Sequence, residues 1–283
     1  MEVLDHRWAF WLAGIWYFFA FVFAILSLGA KRRYSRPWML VLMLGGMTFQ
    51  TWGLWLRGQD FGGCPLGNPF ELLQFVSWSA VLLYFLIGPA FRMSLLGLFS
   101  AALAAFLGLG SLLNPLWDAP YKIRLFGTHP VVEAHASLAV FSYGVFGVLA
   151  LVALMYFFQY YGLKQGKSTG IFAYLPSIVQ LDQIAVRLLW VGLAVLSFSL
   201  VFGFRLYSDD QITTPVSKLI ITLAVWGGYG ALSVLKWRGV CVGKRFAAAC
   251  IILFVMAIVS LWPVDAGRQL ANNNGEDLRT VCG

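Results

Sequence analysis

Charged residues are scarce in this chain. Asp, Glu, Lys and Arg make up 11% of its 283 residues, against about 25% in soluble domains, which excludes a soluble globular protein. Long basic runs are missing as well. The net charge of +8 is spread so that no run exceeds Lys31, Arg32 and Arg33. The excess therefore does not read as a nucleic-acid signal; in an apolar chain such charges set topology. Cysteine is sparse too. Cys64, Cys241, Cys250 and Cys282 include no CxxC pair and no CxxCH, which removes a zinc site, a thioredoxin motif and a covalent haem attachment site. No internal repeat, low-complexity tract or soluble domain stands out.

What the chain has in quantity is apolar surface: 60% hydrophobic residues, 17% aromatic, and a mean hydropathy of +0.78. A membrane span takes about 20 apolar residues to cross about 30 Å of hydrocarbon. Apolar runs over residues 8–30, 37–56, 70–90, 93–113, 134–159, 183–206, 216–235 and 244–263 predict an all-α, polytopic membrane helical bundle of about eight transmembrane helices. It reads as a single membrane domain over 1–283, with a polar tail over about 264–283. The break at 88–93 is short enough for a tight hairpin, and "IFAYLPSIVQLD" (171–182) reads as a stretch lying along the surface before span six. The first run is too long for a signal peptide and ends in basic residues, so a retained span is expected.

Basic residues fix the expected orientation. Lys31 to Arg33, Arg36, Arg92, Lys164, Lys167, Lys236, Arg238, Lys244 and Arg245 fall on one side, which is the cytoplasmic side by the positive-inside rule. Nearly every acid falls on the other, with Asp182 the exception. An even number of spans then places both termini outside.

The outside face carries the candidate chemistry. It holds the longest loop, 114–133, and all three histidines. In "HPVVEAH", His129 and His135 flank the entry to span five. Two readings of His135 stand: an imidazole anchoring a helix at the interface, or a neutral imidazole whose free nitrogen ligates iron. Behind it, Ser137, Ser142, Tyr143, Gly144 and Gly147 make the helix small and partly polar. That suits close helix packing or a cleft for a flat apolar ligand. The segment "CPLGNPFELLQFVSW" (64–78) puts Asn68 and Glu71 at the mouth of span three. There an asparagine caps free amides and a carboxylate suits the helix dipole. Glu71 is followed closely by Leu72, Leu73, Phe75 and Trp78, so it also calls for a partner or a cavity. Arg57, Lys122 and Arg124 are the candidate partners.

These segments carry a resemblance. "CPLGNPFELLQFVSW" resembles the P-x-x-N-x-x-E-(S)-x-x-F-x-x-W segment of CcsA-type cytochrome c assembly proteins through Pro65, Asn68, Glu71, Phe75 and Trp78, with Leu72 where serine is usual. "EAHASLAVFSYGVFGVLAL" is similar to the family's helix that opens on an external haem-ligand histidine and runs through S-Y-G, here His135, Ser142, Tyr143 and Gly144. Leu175, Pro176, Leu181, Asp182, Arg187 and Gly192 match the family's L-P-x-x-x-x-L-D-x-x-x-x-R-x-x-x-x-G element, and Trp237 to Gly239 its W-R-G. The ordered set, over about 64–262, places the chain in the CcsA/CcmC/HemX superfamily.

The chain departs from that pattern in its ligands. The family's W-G-x-x-W-x-W-D loop would fall in "FRLYSDDQITTPVSKLI", which has no tryptophan, and no histidine follows His135. This is closer to the HemX/YpjD-like branch. The resemblance implies a protein of the bacterial cytoplasmic membrane that takes part in cytochrome c biogenesis and binds or passes haem (b-type, transient) on the external side. His135 would be the axial ligand to iron, with Glu71, Trp78, Tyr143 and His129 around the cofactor. A CcsB-like protein and apocytochrome c are the implied partners, and a haem-handling or accessory subunit is expected rather than a complete haem lyase. The alternative is an accessory, HemX-like membrane protein acting through protein contacts. A small-molecule transporter would want polar groups at mid-span, and Gln50 and Thr51 make a poor pathway.

Overall fold

The computed structural model describes residues 6–29, 36–91, 95–118, 130–166, 175–208 and 216–260. Seven long helices follow one another: α1 (Arg7–Gly29), α2 (Arg36–Phe61), α3 (Pro69–Phe91), α4 (Leu96–Leu113), α5 (Pro130–Lys164), α6 (Ile178–Ser208) and α7 (Val216–Trp237). An eighth, α8, covers 244–260, and a 3-10 turn at Pro115–Asp118 follows α4. No strand occurs among the described residues. Helices α1 to α7 are each long and apolar enough to cross a membrane. The described part of α8 reaches about 25 Å at 1.5 Å per residue, just short of a full span. The chain is an all-α, multi-pass membrane bundle.

Helix limits follow local chemistry. Pro69 opens α3 where a missing N–H costs nothing, and Asn68 precedes it as the cap. Ser177 and Gln180 close a reciprocal capping box at the start of α6, each side chain accepting the other's amide at 3.3 Å, as this pairing does elsewhere. At the far end of α7, Gly239 takes φ +71° while its amide and that of Val240 return to Lys236 and Leu235. That left-handed stop is one glycine does without strain, which gives the glycine of "WRG" a backbone reason.

The first four helices pack as one group, α1 lying against α2 and α4, and α3 against α4. Helix α5 joins this group through α3 and makes the most extensive interface of the molecule with α6. It is the central helix: 78% of its apolar stretch is inside the protein, against 17% for α7. Glycine sets its close approaches. A Cβ on Gly144 would overlap that of Ser79 on α3, and one on Gly192 of α6 would overlap the Phe146 ring. Phe146 is in turn stacked on Tyr229 of α7, 3.7 Å between centroids.

A polar thread runs through the first group. The Tyr17 hydroxyl donates to Gln50 Oε1 (2.8 Å), Gln50 Nε2 donates to Gln74 Oε1 (2.8 Å), and Gln74 Nε2 donates to Ser111 Oγ (2.9 Å) and the Gly108 carbonyl (3.0 Å). Each of α1 to α4 takes part, α4 with two residues, and all are buried. In an apolar medium each such group needs a partner, so the thread fixes which helices meet and in what register. Gln50 belongs to this scaffold rather than to a pathway.

Alternate connections bring the start of α1, the end of α2, the start of α3, the end of α4 and the start of α5 to one end of the bundle, with Asp60, Glu71, Asp118 and Glu133. This is the acid-bearing end. The other end has Lys164, Lys236, Arg238, Lys244 and Arg245. Asp182, the acid on that side, is held by Lys236 at 2.6 Å, and the same ammonium lies 4.4 Å from the Phe246 ring centroid.

Candidate functional site

The segment that opens α3 is built around its cap. Asn68 Oδ1 accepts the Glu71 amide at 2.8 Å, and one oxygen of Glu71 turns back to accept the Gly67 amide at 2.7 Å. Such a cap is worth about 1 kcal/mol. The other Glu71 oxygen meets Arg57 Nη1 of α2 at 3.2 Å. Arg57 then forks onto Asp118, Nη1 to Oδ1 at 2.7 Å and Nη2 to Oδ2 at 2.8 Å. Asp118 also takes Arg7 Nη1 of α1 at 3.2 Å, and Arg7 Nη2 reaches the Leu112 carbonyl at 2.8 Å. The Phe70 ring lies beside both guanidiniums, 4.6 Å from Arg57 and 5.7 Å from Arg7. Nearby, His6 Nε2 meets Asp60 Oδ2 at 2.7 Å.

The result is a balanced knot of two arginines and two carboxylates that ties α1, α2, α3 and the 3-10 turn after α4. Glu71 is 0% exposed and Arg57 9%. Of the expected partners for Glu71 the structure selects Arg57; Lys122 and Arg124 lie outside the described residues. Sequence reasoning missed Arg7 and Asp118 here. Their positions, one residue before an apolar run and five residues past another, were the available signal.

Cys64 sits just before this cap, between Glu71 and the start of α5. Burial pushes its thiol up to about 11, and the carboxylates of Glu133 and Glu71 push in the same direction by opposing a thiolate. It is a free thiol; Cys282 lies outside the described residues. At pH 8 only about a thousandth is thiolate, the reactive form. Alkylation by iodoacetamide is therefore expected to keep rising about tenfold per pH unit to near pH 11, where an ordinary cysteine levels off near its usual 8.5. Rates measured on a variant retaining only Cys64 would show this, and a plateau below pH 9 would contradict it.

Trp78 lies three turns into the motif helix. Its indole donates to Thr51 Oγ1 of α2 at 2.8 Å. With Trp55, Phe75 and the backbone of Gly58, Gly62 and Gly63 it lines a groove of about 560 Å³ between α2 and α3. No lining residue is a histidine or carries an ionisable side chain.

His135 is held elsewhere at the same end. Its Nδ1 lies 2.7 Å from the Ser199 carbonyl of α6 and 3.1 Å from Ser199 Oγ, while that hydroxyl donates to the His135 carbonyl at 2.8 Å. Tyr143, two turns deeper, is buried with Val76, Leu107 and Ala257, beside Ser260 of α8. His129 lies outside the described residues. The partners of Glu71 are thus on α2 and the α3 cap, and those of His135 on α6. No described hydrogen bond or ion pair joins the two.

A profile of the cytochrome C assembly protein family matches residues 66–266, which runs from the α3 cap through α8. The chain belongs to the cytochrome C assembly protein family. Protein HemX of Brevibacillus brevis is 31% identical over 143 residues, covering 50% of this chain and 52% of that protein. Protein HemX of Bacillus subtilis (strain 168) is 24% identical over 169 residues, 59% of each chain. The match spans between half and three-fifths of these relatives. Within this family member, the matched region takes in Glu71, Trp78, His135 and Tyr143, whereas Arg7 and Arg57 lie before it.

No group of three or more His, Cys, Asp or Glu able to hold a bare metal ion occurs among the described residues. A haem iron asks less of the protein: one neutral imidazole nitrogen and an apolar surround. His135 meets the first condition. A carbonyl oxygen can only accept, so the contact with Ser199 puts a proton on Nδ1, and in the neutral ring the Nε2 lone pair is then the one available. Metal-ligating histidines are characteristically held this way.

Proposed function

We propose that the protein is a component of cytochrome c biogenesis that binds or passes haem at the acid-bearing end, which by its charges faces outward from a bacterial cytoplasmic membrane, with both termini on that side. The observation that carries this reading is the hydrogen bonding of His135, which supports Nε2 as an axial ligand. Haem would supply the iron that this nitrogen ligates; the chain supplies the imidazole, holds its proton on Nδ1, and offers Tyr143 two turns deeper in α5, with His129, six residues before His135 in the sequence, completing the proposed set. Glu71 acts in this reading as a brace, because both of its oxygens are engaged, and Trp78 belongs to a neighbouring groove. A CcsB-like membrane protein and apocytochrome c are the proposed partners, the protein being a subunit rather than a complete haem lyase.

A second reading, an accessory HemX-like protein acting through protein contacts, draws on the same geometry. The Arg57–Glu71–Asp118 knot consumes the carboxylate otherwise available to a ligand, and the other described imidazole, His6, is engaged by Asp60 rather than by His135. The absorption spectrum separates the two. Protein purified from haem-replete cells is expected to show a Soret band that His135→Ala removes while the protein stays folded. No band in either preparation would support the accessory reading; a band unchanged in His135→Ala would move the ligand elsewhere.

A further inference from the structure

His135 stands near the start of α5 at its seam with α6, and α6 acts on the ring from two successive turns. Ser199 is fully buried. Its hydroxyl hydrogen goes to the His135 carbonyl at 2.8 Å, so its oxygen, 3.1 Å from Nδ1, is left to accept. The Ser199 carbonyl, at 2.7 Å, accepts as well. One N–H thus faces two acceptors contributed by a single residue. One turn further on, Gly203 clears the space that the ring occupies. A Cβ there would come within 2.6 Å of Cε1, 3.0 Å of Nδ1 and 3.3 Å of Nε2, and contacts under 3 Å force something to move. The ring cannot yield without giving up Ser199. Among the described residues nothing bonds Nε2.

We propose that Ser199 and Gly203 are positioning residues for His135: Ser199 fixes the imidazole as its Nδ1–H tautomer, and Gly203 provides the bare backbone against which the ring lies with Nε2 unprotonated. In water a neutral histidine side chain favours the opposite tautomer, so the geometry is a specific arrangement. A helix anchor at an interface needs neither device. The inference rests on the haem reading for its purpose, but its geometry is testable without haem. Partners that orient a ligating histidine typically change affinity by about 10–100-fold when altered.

The first measurement is nitrogen NMR of histidine-labelled, haem-free, full-length protein in bilayers, with the His135 signals assigned by their loss in His135→Ala. With the sample at alkaline pH, so that imidazoles are neutral, the wild type is expected to show a ring with protonated Nδ1 and bare Nε2. Gly203→Ala is expected to lose that pattern. Ser199→Ala, which keeps the 2.7 Å backbone acceptor, should hold the proton on Nδ1 but shift its resonance through loss of the hydroxyl acceptor, and Ser199→Thr should restore the wild-type signal, so the result does not hang on one variant folding. An Nε2–H ring in the wild type, or His135 signals unchanged in both Gly203→Ala and Ser199→Ala, overturns the proposal. The second measurement is haem titration, where Gly203→Ala is expected to weaken binding at least tenfold. An Nδ1–H ring in a protein that takes up no haem would retire the haem reading and leave the positioning pair standing. Haem binding that Gly203→Ala leaves unchanged would do the reverse.

Discussion

Arg57→Met is expected to cost more stability than any other single change at the acid-bearing end. Arg57 touches both carboxylates of the knot, Glu71 at 3.2 Å and Asp118 through two bonds of 2.7 and 2.8 Å. Removing it leaves Glu71, fully buried, with a charge and no counter-charge. Breaking a buried pair from one side costs about 3–5 kcal/mol, a large part of the 5–15 kcal/mol that holds a typical protein together. Glu71→Gln should be milder, because Arg57 keeps its fork on Asp118 and the Gly67 amide keeps an acceptor. The double change Arg57→Met/Glu71→Met should recover much of the loss, since Arg7 still pairs with Asp118 and no unpaired charge remains. Thermal unfolding of the three variants in one detergent tests the order. A single variant as stable as the wild type, or a double variant less stable than Arg57→Met, would show that the knot does not hold the helix ends together.

The spans were legible because a bilayer asks one thing of a sequence, an apolar run of sufficient length, and the charged breaks between the runs are sharp. Beginnings were less so. Helix α6 starts at Ile178, inside the stretch expected along the surface, because the Ser177–Gln180 box is a complete start signal five residues before the fully apolar run. The α3 cap was legible for the same local reason, Asn68 and Pro69 being adjacent. What no local pattern carries is who meets whom. Arg7, Arg57 and Asp118 sit 50 and 61 residues apart in sequence, and only the folded bundle brings both guanidiniums to the Asp118 carboxylate. Gln74 lies inside the quoted motif and passed unnoticed; an amide within the apolar run of span three, matched by Gln50 in span two, was the available clue, since neither can stay unpaired in hydrocarbon. Ser199 and Gly203 offered less still. In a helix rich in small residues, two more carry no mark until the ring they accommodate is in view.

The small residues of α5 support the second large effect, at Gly144. Its α-carbon faces Ser79, and a methyl added there would overlap the Ser79 Cβ and stand 3.3 Å from the Ala80 backbone nitrogen. Neither neighbour is the end of a flexible side chain, so the helices themselves must separate. In membranes such separation is costly because close backbone approach, rather than expulsion of water, drives helices together. Overpacking of this kind typically costs about 1–3 kcal/mol, and Gly144→Leu should exceed Gly144→Ala. The displacement would carry along the start of α5 and with it His135, so thermal stability should fall in Gly144→Leu and, on the haem reading proposed above, haem retention should fall with it. Ser79→Gly, which removes the opposing Cβ, should restore part of the stability of Gly144→Ala. The two changes are in contact, and a coupling between them, measured as a double-mutant cycle of unfolding temperatures, is the signature of a shared surface. Strict additivity would mean that α3 and α5 do not meet at this pair, and that the glycine of the S-Y-G motif has some task other than letting the central helix reach its neighbour.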